Sequence, residues 1–359
     1  MAALPSACTA LLAYCRAGFE GEVASELSAH ANRLGVSGYI KARGDAAFAL
    51  FVPNDPAELE KLSEGMRYEE MVFCRQLLFV GDISGDLPIA DRATPLVARV
   101  KDFGQHFSAL VVEMPDTNDG KSLSSFCKAF TGRFEEKAGK AGIFLDARRA
   151  APRLHLFFLS GIAAYVGISH PANSSPWPMG IARVRVPKGA PSRSAGKLSE
   201  AFMAFIGNDA MAKRVAPGMT AVDLGAAPGG WSWILARNHL SVVAVDNGDI
   251  DQALLDTGQV KHRRMDGFDY KPAKAVDWMV CDMVEKPALV ANLVAKWTGN
   301  RWCRECIFNL KLPMKKRYEE VELCRGRIAQ GLEGMAFELR FKHLYHDREE
   351  VTGHLRLLG

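Results

Sequence analysis

The sequence predicts an α/β protein in two parts: an α+β N-terminal half, then a mostly parallel α/β sheet. Three observations carry this expectation. At 359 residues the chain exceeds one typical domain and suggests two or three. A seam of linker composition, "PANSSPWPMGIARVRVPKGAPS" (171–192), holds five prolines among small polar residues. The pattern on the two sides of that seam differs: strands and helices are mixed before it and alternate regularly after it. Regular alternation implies a parallel sheet whose ligands bind at the C-terminal ends of its strands. Apolar content of 48% and charged content of 24% leave ample material for a core in each part.

Before the seam, "SGYIKARGDAAFALFVP" (37–53) alternates like a hairpin around Arg43-Gly44-Asp45. "PLVARVKD" and "SALVVEMP" are expected to be further strands. Leu123, Phe126, Phe130 and Phe134 recur at helical spacing in "GKSLSSFCKAFTGRFEEKAG". The apolar run Leu156 to Ile168 is too short to span a bilayer and is broken by Ser160 and Gly161, so a buried strand followed by a helix or second strand is expected. After the seam, strands are expected at Val222–Leu224, 241–246, 275–283 and 306–313. Helices are expected from Gly229, over "EKPALVANLVAKW" and over "MKKRYEEVELCRGRIAQGL". A final antiparallel pair is expected at 337–345 and 350–358. No fixed-period repeat is visible.

The most informative stretch is "AVDLGAAPGGWSWIL" (221–235), a glycine-rich bend at a strand C-terminus. Gly225, Gly229 and Gly230 carry no side chain, so a ligand can lie against the main chain there. The dinucleotide pattern G-x-G-x-x-G is absent, and Pro228 removes a backbone donor that a phosphate cradle would use. Asp246 ends the second strand, where a carboxylate is suited to ribose hydroxyls, and Asp266 is placed to accept from an exocyclic amine. These features favour a nucleoside without phosphates, and S-adenosylmethionine is the commonest cofactor of that kind.

"VDLGAAPGGWSWIL" resembles motif I of the heat-shock-type family of RNA ribose 2′-O-methyltransferases, whose pattern is D-L-G-x-x-P-G-G-[WF]. The resemblance covers 192–359 and implies a Rossmann-like class I methyltransferase with a mostly parallel seven-stranded sheet. It implies a cofactor site of Ser194, Gly225, Ala227, Pro228, Gly229, Gly230, Asp246, Asp266 and Asp282. It also implies a Lys-Asp-Lys-Glu tetrad. Lys197 in "SRSAGKLSEAF" would open a helix, Asp282 in "WMVCDM" would end strand four, and Lys311 in "FNLKLP" would end strand five. The glutamate is Glu349 or Glu350 in "HDREEVTGHL", with Glu350 favoured because it precedes Val351. Lys311 also stands out without the resemblance, since it interrupts an apolar run, and lysine is seldom buried without a role.

The segments "DTGQV", "WMVCDMVEKPA", "IFNLKLPMKKRYEEV" and "LYHDREEVT" resemble the branch of this family that modifies cytidine in 23S rRNA. That branch implies a ferredoxin-like domain over 1–75, a THUMP-like RNA-binding domain over 76–170, a basic linker over 171–191 and the methyltransferase over 192–359. A ribose hydroxyl is a weak acid, so such an enzyme must align oxygen, methyl carbon and sulfur and help the proton leave. Lys311 is the expected acceptor, its pKa lowered by burial and by a nearby cation and raised by Asp282; Glu350 would hold Lys197.

The net charge of +4 permits an RNA partner without demanding one. Arg183, Arg185, Lys188, Arg193 and Lys197 occur with no acid between them. Lys261-His262-Arg263-Arg264 and Lys315-Lys316-Arg317 add two basic clusters expected to contact phosphates. The eight scattered cysteines read as reduced thiols, and Cys303-x-x-Cys306 with His343 and His346 is too widely spaced for a compact zinc site, so no metal is expected. A monomer in the cytoplasm with 23S rRNA as partner and no membrane is the resulting expectation. The N-terminus, without a basic residue before Arg16, is not expected to be a signal peptide. The competing readings are a protein or small-molecule methyltransferase, a non-catalytic RNA-binding protein and, more remotely, a nicotinamide dehydrogenase.

Overall fold

The computed structural model describes residues 3–145, 151–186 and 188–358. The chain divides into two compact units, residues 1–181 and 182–359.

The N-terminal unit begins with β1 (Ala10–Tyr14), α1 (Glu20–Arg33), β2 (Gly38–Ala42), β3 (Phe48–Pro53), α2 (Leu59–Gly65) and β4 (Gln76–Val80). These four strands stand in the order β2-β3-β1-β4, all antiparallel, and α1 packs on β2 and β3. This is the ferredoxin-like arrangement. The predicted hairpin at 37–53 is β2 with β3, in register from Gly38↔Pro53 to Ala42↔Ala49. Helix α1 carries Glu20 and Glu22 in its first turn and His30 and Arg33 in its last, which suits the helix dipole at both ends.

The unit continues with α3 (Ala93–Lys101), β5 (His106–Phe107), β6 (Ala109–Glu113), α4 (Asn118–Ser122), α5 (Ser124–Lys140), β7 (Phe144–Leu145), β8 (Arg153–Ser160) and β9 (Ala163–Ser169). "PLVARVKD" lies in α3, where a strand was expected. Its buried residues Ala93, Leu96, Val97 and Val100 follow helical spacing, and Asp91 accepts from Thr94 N (3.1 Å) ahead of the first turn. Of the two continuations expected for the apolar run, a helix or a second strand, the structure has the strand: β8 and β9 pair antiparallel. β4 pairs with β1 on one side and β9 on the other, so one seven-stranded sheet, β2-β3-β1-β4-β9-β8-β6, runs through residues expected to form two separate domains. The break expected at 75/76 therefore falls at the first residue of a shared central strand.

The seam also differs from expectation. Its first part is fastened to the N-terminal unit by side chains. Asn173 accepts from Tyr68 N (2.7 Å) and donates to Met66 O (2.8 Å). Gln76 Nε2 donates to Ser175 O (3.2 Å), and Glu113 accepts from Met179 N. Linker composition here marks a stretch whose described residues form no strand or α-helix, only the short 3₁₀ turns Pro171–Asn173 and Pro178–Gly180, held by polar contacts, and the units part at 181/182.

The C-terminal unit contains α6 (Ala195–Phe205), α7 (Asn208–Arg214), β10 (Thr220–Leu224), α8 (Gly230–Arg237), β11 (Ser241–Val245), α9 (Gln252–Leu255), β12 (Val260–Arg263), β13 (Val276–Cys281), α10 (Pro287–Gly299), β14 (Cys303–Lys311), α11 (Arg317–Gly331), β15 (Phe337–Lys342) and β16 (Glu350–Leu357). The strand order is β12-β11-β10-β13-β14-β16-β15, parallel except for β16, which runs antiparallel to both neighbours. The central strands read as nearly continuous apolar runs because both faces are covered: α6 packs with α8, and α10 packs with α11 and β14. Strand order reverses between β10 and β13, which opens the ligand crevice of such sheets at their C-terminal ends. β12 was not anticipated as a strand. It carries most of the basic run 261–264, and a charged edge strand resists pairing with other chains.

Candidate active site

Strand register assembles the site. Lys311, the last residue of β14, lies opposite Glu350, the first of β16, and Asn309 lies opposite Thr352. Residues two apart on a strand share a face, so these four side chains form one polar patch in an otherwise apolar pair. Asp282 follows β13, and Lys197 stands in the first turn of α6. Lys311 Nζ donates to Asp282 Oδ1 (2.5 Å) and to Glu350 Oε2. Lys197 Nζ pairs with Glu350 Oε1 and lies 3.7 Å from Asp282 Oδ2. The four residues named from the sequence thus close into a ring of two ammonium groups and two carboxylates. Glu350 is the glutamate in that ring. Glu349 pairs instead with Arg317 (2.5 Å), its side chain 52% exposed against 8% for Glu350.

The electrostatics of Lys311 differ from expectation. Burial alone would lower its pKa, but Asp282 and Glu350 outweigh it and hold the pKa above the ordinary lysine value. Glu350 was expected to serve Lys197; it serves both lysines. Lys311 therefore rests as an ammonium.

The glycine bend meets two demands. Gly225 (φ +76°) and Gly229 (φ +114°) occupy the left-handed region, where other residues are strained. A Cβ on Gly225 would lie 2.6 Å from Met283 Cγ, and one on Gly230 would overlap the hydroxyls of Ser192 and Ser194. Part of what approaches the bare main chain is therefore the protein itself. Ser194 Oγ lies 2.6 Å from Ser192 Oγ, and the Ser194 carbonyl accepts from Trp231 Nε1 (3.0 Å), tying the start of α6 to α8. Pro228 O accepts from Asp251 N (3.0 Å). Asp246 braces the bend, with Oδ2 accepting from Ala227 N (3.0 Å) and Oδ1 from Gly248 N (2.7 Å). Each carboxylate oxygen has a further lone pair for a ligand. Asp266 is exposed and accepts from Phe268 N (2.8 Å).

Several residues here were not singled out from the sequence. Asn309 Nδ2 donates to Asp282 Oδ1 (2.9 Å), and Thr352 Oγ1 lies within bonding distance of Asn309 Oδ1 (2.9 Å) and of buried Asp347 (Oδ2, 3.0 Å). Glu200, one turn after Lys197, accepts from Tyr345 N (2.7 Å), His346 N (3.0 Å) and His346 Nδ1 (2.6 Å), fastening α6 to the loop before Glu350. Asp223 is fully buried, accepts from Ser232 Oγ (2.7 Å) and leaves Oδ1 without a partner. Burial first, then Asp282 and Asp246 against the opposing Ser232 bonds, pushes its pKa up to about 7. The alternation in "NLK" and "EVT" was a visible signal for Asn309 and Thr352. For Glu200 there was none, because its partners, Tyr345 N and His346, are distant in sequence; the partners of Asp347, Leu344 N and Thr352 Oγ1, are local.

The basic clusters are divided in use. His262 contacts Asp246 O (2.9 Å) and Arg264 donates to Asn247 O (2.9 Å), so the 261–264 run supports the loop after β11. Arg183, Arg185, Lys188 and Arg193 are exposed. Cys303 and Cys306 are buried in β14, and all eight cysteines are free.

Three family models match the chain. Residues 8–78 match the RlmM ferredoxin-like domain, and 91–170 match the N-terminal region of ribosomal RNA large subunit methyltransferase M. Residues 190–324 match the FtsJ-like methyltransferase. The ribosomal RNA large subunit methyltransferase M of Methylococcus capsulatus is 47% identical over 353 residues, 98% of this chain and 99% of that protein. Its counterpart in Stutzerimonas stutzeri is 49% identical over 350 residues, 97% and 99% of the two chains. With a ferredoxin-like start, a parallel sheet bearing the glycine bend, and this likeness along nearly its whole length, the chain belongs to the ribosomal RNA large subunit methyltransferase M family.

Proposed function

We propose that the chain moves a methyl group from S-adenosylmethionine to the ribose 2′-hydroxyl of a cytidine in 23S rRNA, with Lys311 accepting the proton. The observation that carries this reading is the ring of Lys197, Asp282, Lys311 and Glu350 at the crevice where strand order reverses. A protein or small-molecule methyltransferase needs the crevice but has no use for two lysines clasped by two acids.

The residues present fit the cofactor. Burial, and then the nearby carboxylates of Asp282 and Asp246, raise the pKa of Asp223, so three acids stand close together where a cationic ligand would lie. The main chain from Gly225 to Gly230, Ser194, Asp246, Asp266 and Asp282 would hold it. When bound, it supplies an electrophilic methyl on sulfur. The protein's part is to place the acceptor oxygen and remove its proton. Asp282 is fixed by Asn309 and orients Lys311; Glu350 holds both ammonium groups at one spacing. Lys311 must lose its own proton before it can take another, so transfer should speed up as pH rises toward its raised pKa. The exposed basic residues 183–193 would meet phosphates and position the RNA. The protein would act as a monomer in the cytoplasm, a reducing compartment with which eight free cysteines accord. Among the described residues no helix is long and apolar enough to cross a membrane.

The test is Lys311→Ala, assayed separately for methyl transfer to a folded 23S rRNA fragment and for cofactor binding. Transfer should fall by about 10²–10⁴ while binding persists. Full transfer in that variant refutes the assignment of Lys311.

A further inference from the structure

Behind the tetrad lies a line of buried polar side chains. Asn309 and Thr352 face each other across β14 and β16, each two residues from Lys311 or Glu350 and so on the same face. Asp347 sits on the loop before β16. All three are fully buried, and their strand neighbours Phe308, Leu310 and Val351 are buried and apolar. Thr352 Oγ1 lies 3.0 and 3.2 Å from the two carboxyl oxygens of Asp347 and 2.9 Å from Asn309 Oδ1. Asn309 Nδ2 lies 2.9 Å from Asp282 Oδ1, the oxygen that Lys311 Nζ also reaches (2.5 Å).

The hydrogens along this line run in one direction. Asp282 faces two ammonium groups, and its carboxylate only accepts. Asn309 therefore turns its NH₂ toward Asp282 and its oxygen toward Thr352. An amide oxygen only accepts, so the single hydroxyl hydrogen of Thr352 goes to Asn309. Toward Asp347 the hydroxyl then presents lone pairs alone. An ionised carboxyl there would set lone pairs against lone pairs in a buried place, which is costly. A protonated carboxyl closes the line, donating to Thr352 while Oδ2 accepts from Leu344 N (3.0 Å). The surrounding charges act in the same sense. Burial first, then Glu350 and Glu200, against the Leu344 amide and Lys197, hold the Asp347 pKa well above the ordinary aspartate range. On the same loop His346 pairs with Glu200, His343 contacts the carbonyl of Arg348 (3.0 Å), and Arg348 and Glu349 are exposed.

We infer that Asp347 is a neutral acid which, through Thr352 and Asn309, keeps a hydrogen bond aimed at Asp282, and that these three are positioning residues for the methyl transfer. Asp282 shares its charge between Asn309 and Lys311. Without the Asn309 donor it would hold the Lys311 proton more tightly, and less of the lysine would be ready to accept another. The inference rests on Lys311 as the proton acceptor.

The test uses the full chain. Thr352→Val keeps the shape and removes the hydroxyl, so the Asn309 amide can turn its oxygen toward Asp282. At neutral pH kcat should fall about tenfold, the scale of one hydrogen bond to a charged group. The pH–rate profile should move to higher pH, with KM for a folded 23S rRNA fragment and cofactor affinity unchanged. Thr352→Ser should restore both kcat and profile. Asp347→Leu should displace the profile in the same direction. Asp347→Asn, neutral, with a donor for Thr352 and an acceptor for Leu344 N, should return it. A profile unmoved in Thr352→Val, or moved as far by Asp347→Asn as by Asp347→Leu, would overturn the inference. Infrared spectra of the chain carrying isotope-labelled aspartate give a readout without turnover. The carbonyl stretch of a protonated carboxylic acid should be present at neutral pH and weaken in Asp347→Asn, the remainder coming from Asp223. An undiminished band in that variant would also overturn the inference. Full transfer in Lys311→Ala strikes the proposed proton acceptor instead and leaves the infrared band in place.

Discussion

Both units bury acidic side chains, but they put them to different uses. In the N-terminal unit the partners of buried acids are mostly main-chain donors. Glu26 accepts from the amides of Val72, Phe73 and Cys74, and Glu20 from those of Gly18 and Ala47. Such a carboxylate acts like a cap inserted into the core: it satisfies amides that no strand or helix satisfies, and its worth is stability. In the C-terminal unit Asp282 and Glu350 face two ammonium groups at the ends of strands, beside a crevice. An ion ring there contributes little net stability, because desolvation offsets attraction. The kind of partner, rather than burial itself, separates a structural acid from a chemical one.

The sharpest way to break this comparison is to exchange the expected effects. Lys311→Ala should cost about 10²–10⁴ in transfer rate with little change in thermal stability, and the pH–rate profile of the wild type should keep rising through the alkaline range, since Asp282 and Glu350 hold the Lys311 pKa up. A profile that levels off near neutrality would show that Lys311 is not the group being deprotonated. Glu26→Ala should do the reverse. It strands three amides and should cost about 3 kcal/mol or more of stability in the N-terminal unit, at roughly 1–3 kcal/mol for each orphaned group. Per folded molecule, kcat should be unaltered. Denaturant unfolding followed with probes in each unit tests this, and a fall in kcat without loss of stability would sink the distinction.

Asp223 sits between the two kinds and gives a smaller, pH-dependent effect. It is buried, has one hydroxyl partner and titrates near pH 7 in the fold, above an ordinary aspartate. Between about pH 4 and 7 the folded state therefore holds a proton that the unfolded state has lost. The stabilising contribution is complete below pH 4 and is lost as pH rises through about 7. Asp223→Asn should flatten this decline in the stability of the C-terminal unit, read from urea midpoints across pH 4 to 8. An unchanged slope would mean that Asp223 is ionised throughout.

What the sequence made legible follows from how local each signal is. The glycine bend, the alternation of strands and helices and the interruption of β14 by Lys311 each occupy one short stretch, and all reappear in the fold. Helix α3 was misread because Val97 and Val100 favour strands individually, while their spacing with Leu96 is helical. The units part within the seam, but proline-rich composition says nothing of side-chain anchors such as Glu113 and Gln76 that hold its first part. Glu200 could not be found from spacing, since it meets amides brought near only by tertiary folding, whereas the partners of Asp347 are local, Leu344 N and Thr352 Oγ1.

The least effect is expected at the pair the sequence could not separate by position alone. Glu349 and Glu350 are neighbours, so they point to opposite sides of the chain as it enters β16. The register Lys311↔Glu350 turns Glu350 onto the two lysines, and Glu349 reaches Arg317 at the surface. An exposed pair of that kind is worth at most about 1 kcal/mol, so Glu349→Gln should leave transfer within twofold and stability nearly unchanged. Glu350→Gln keeps the shape but removes the charge shared by Lys197 and Lys311. It should lower the Lys311 pKa, shift the pH–rate profile to lower pH and reduce kcat with cofactor affinity retained. If the profile moved with Glu349→Gln and stayed fixed with Glu350→Gln, the register would not determine which carboxylate serves the lysines, and the contrast between surface and ring acids would fail at this point.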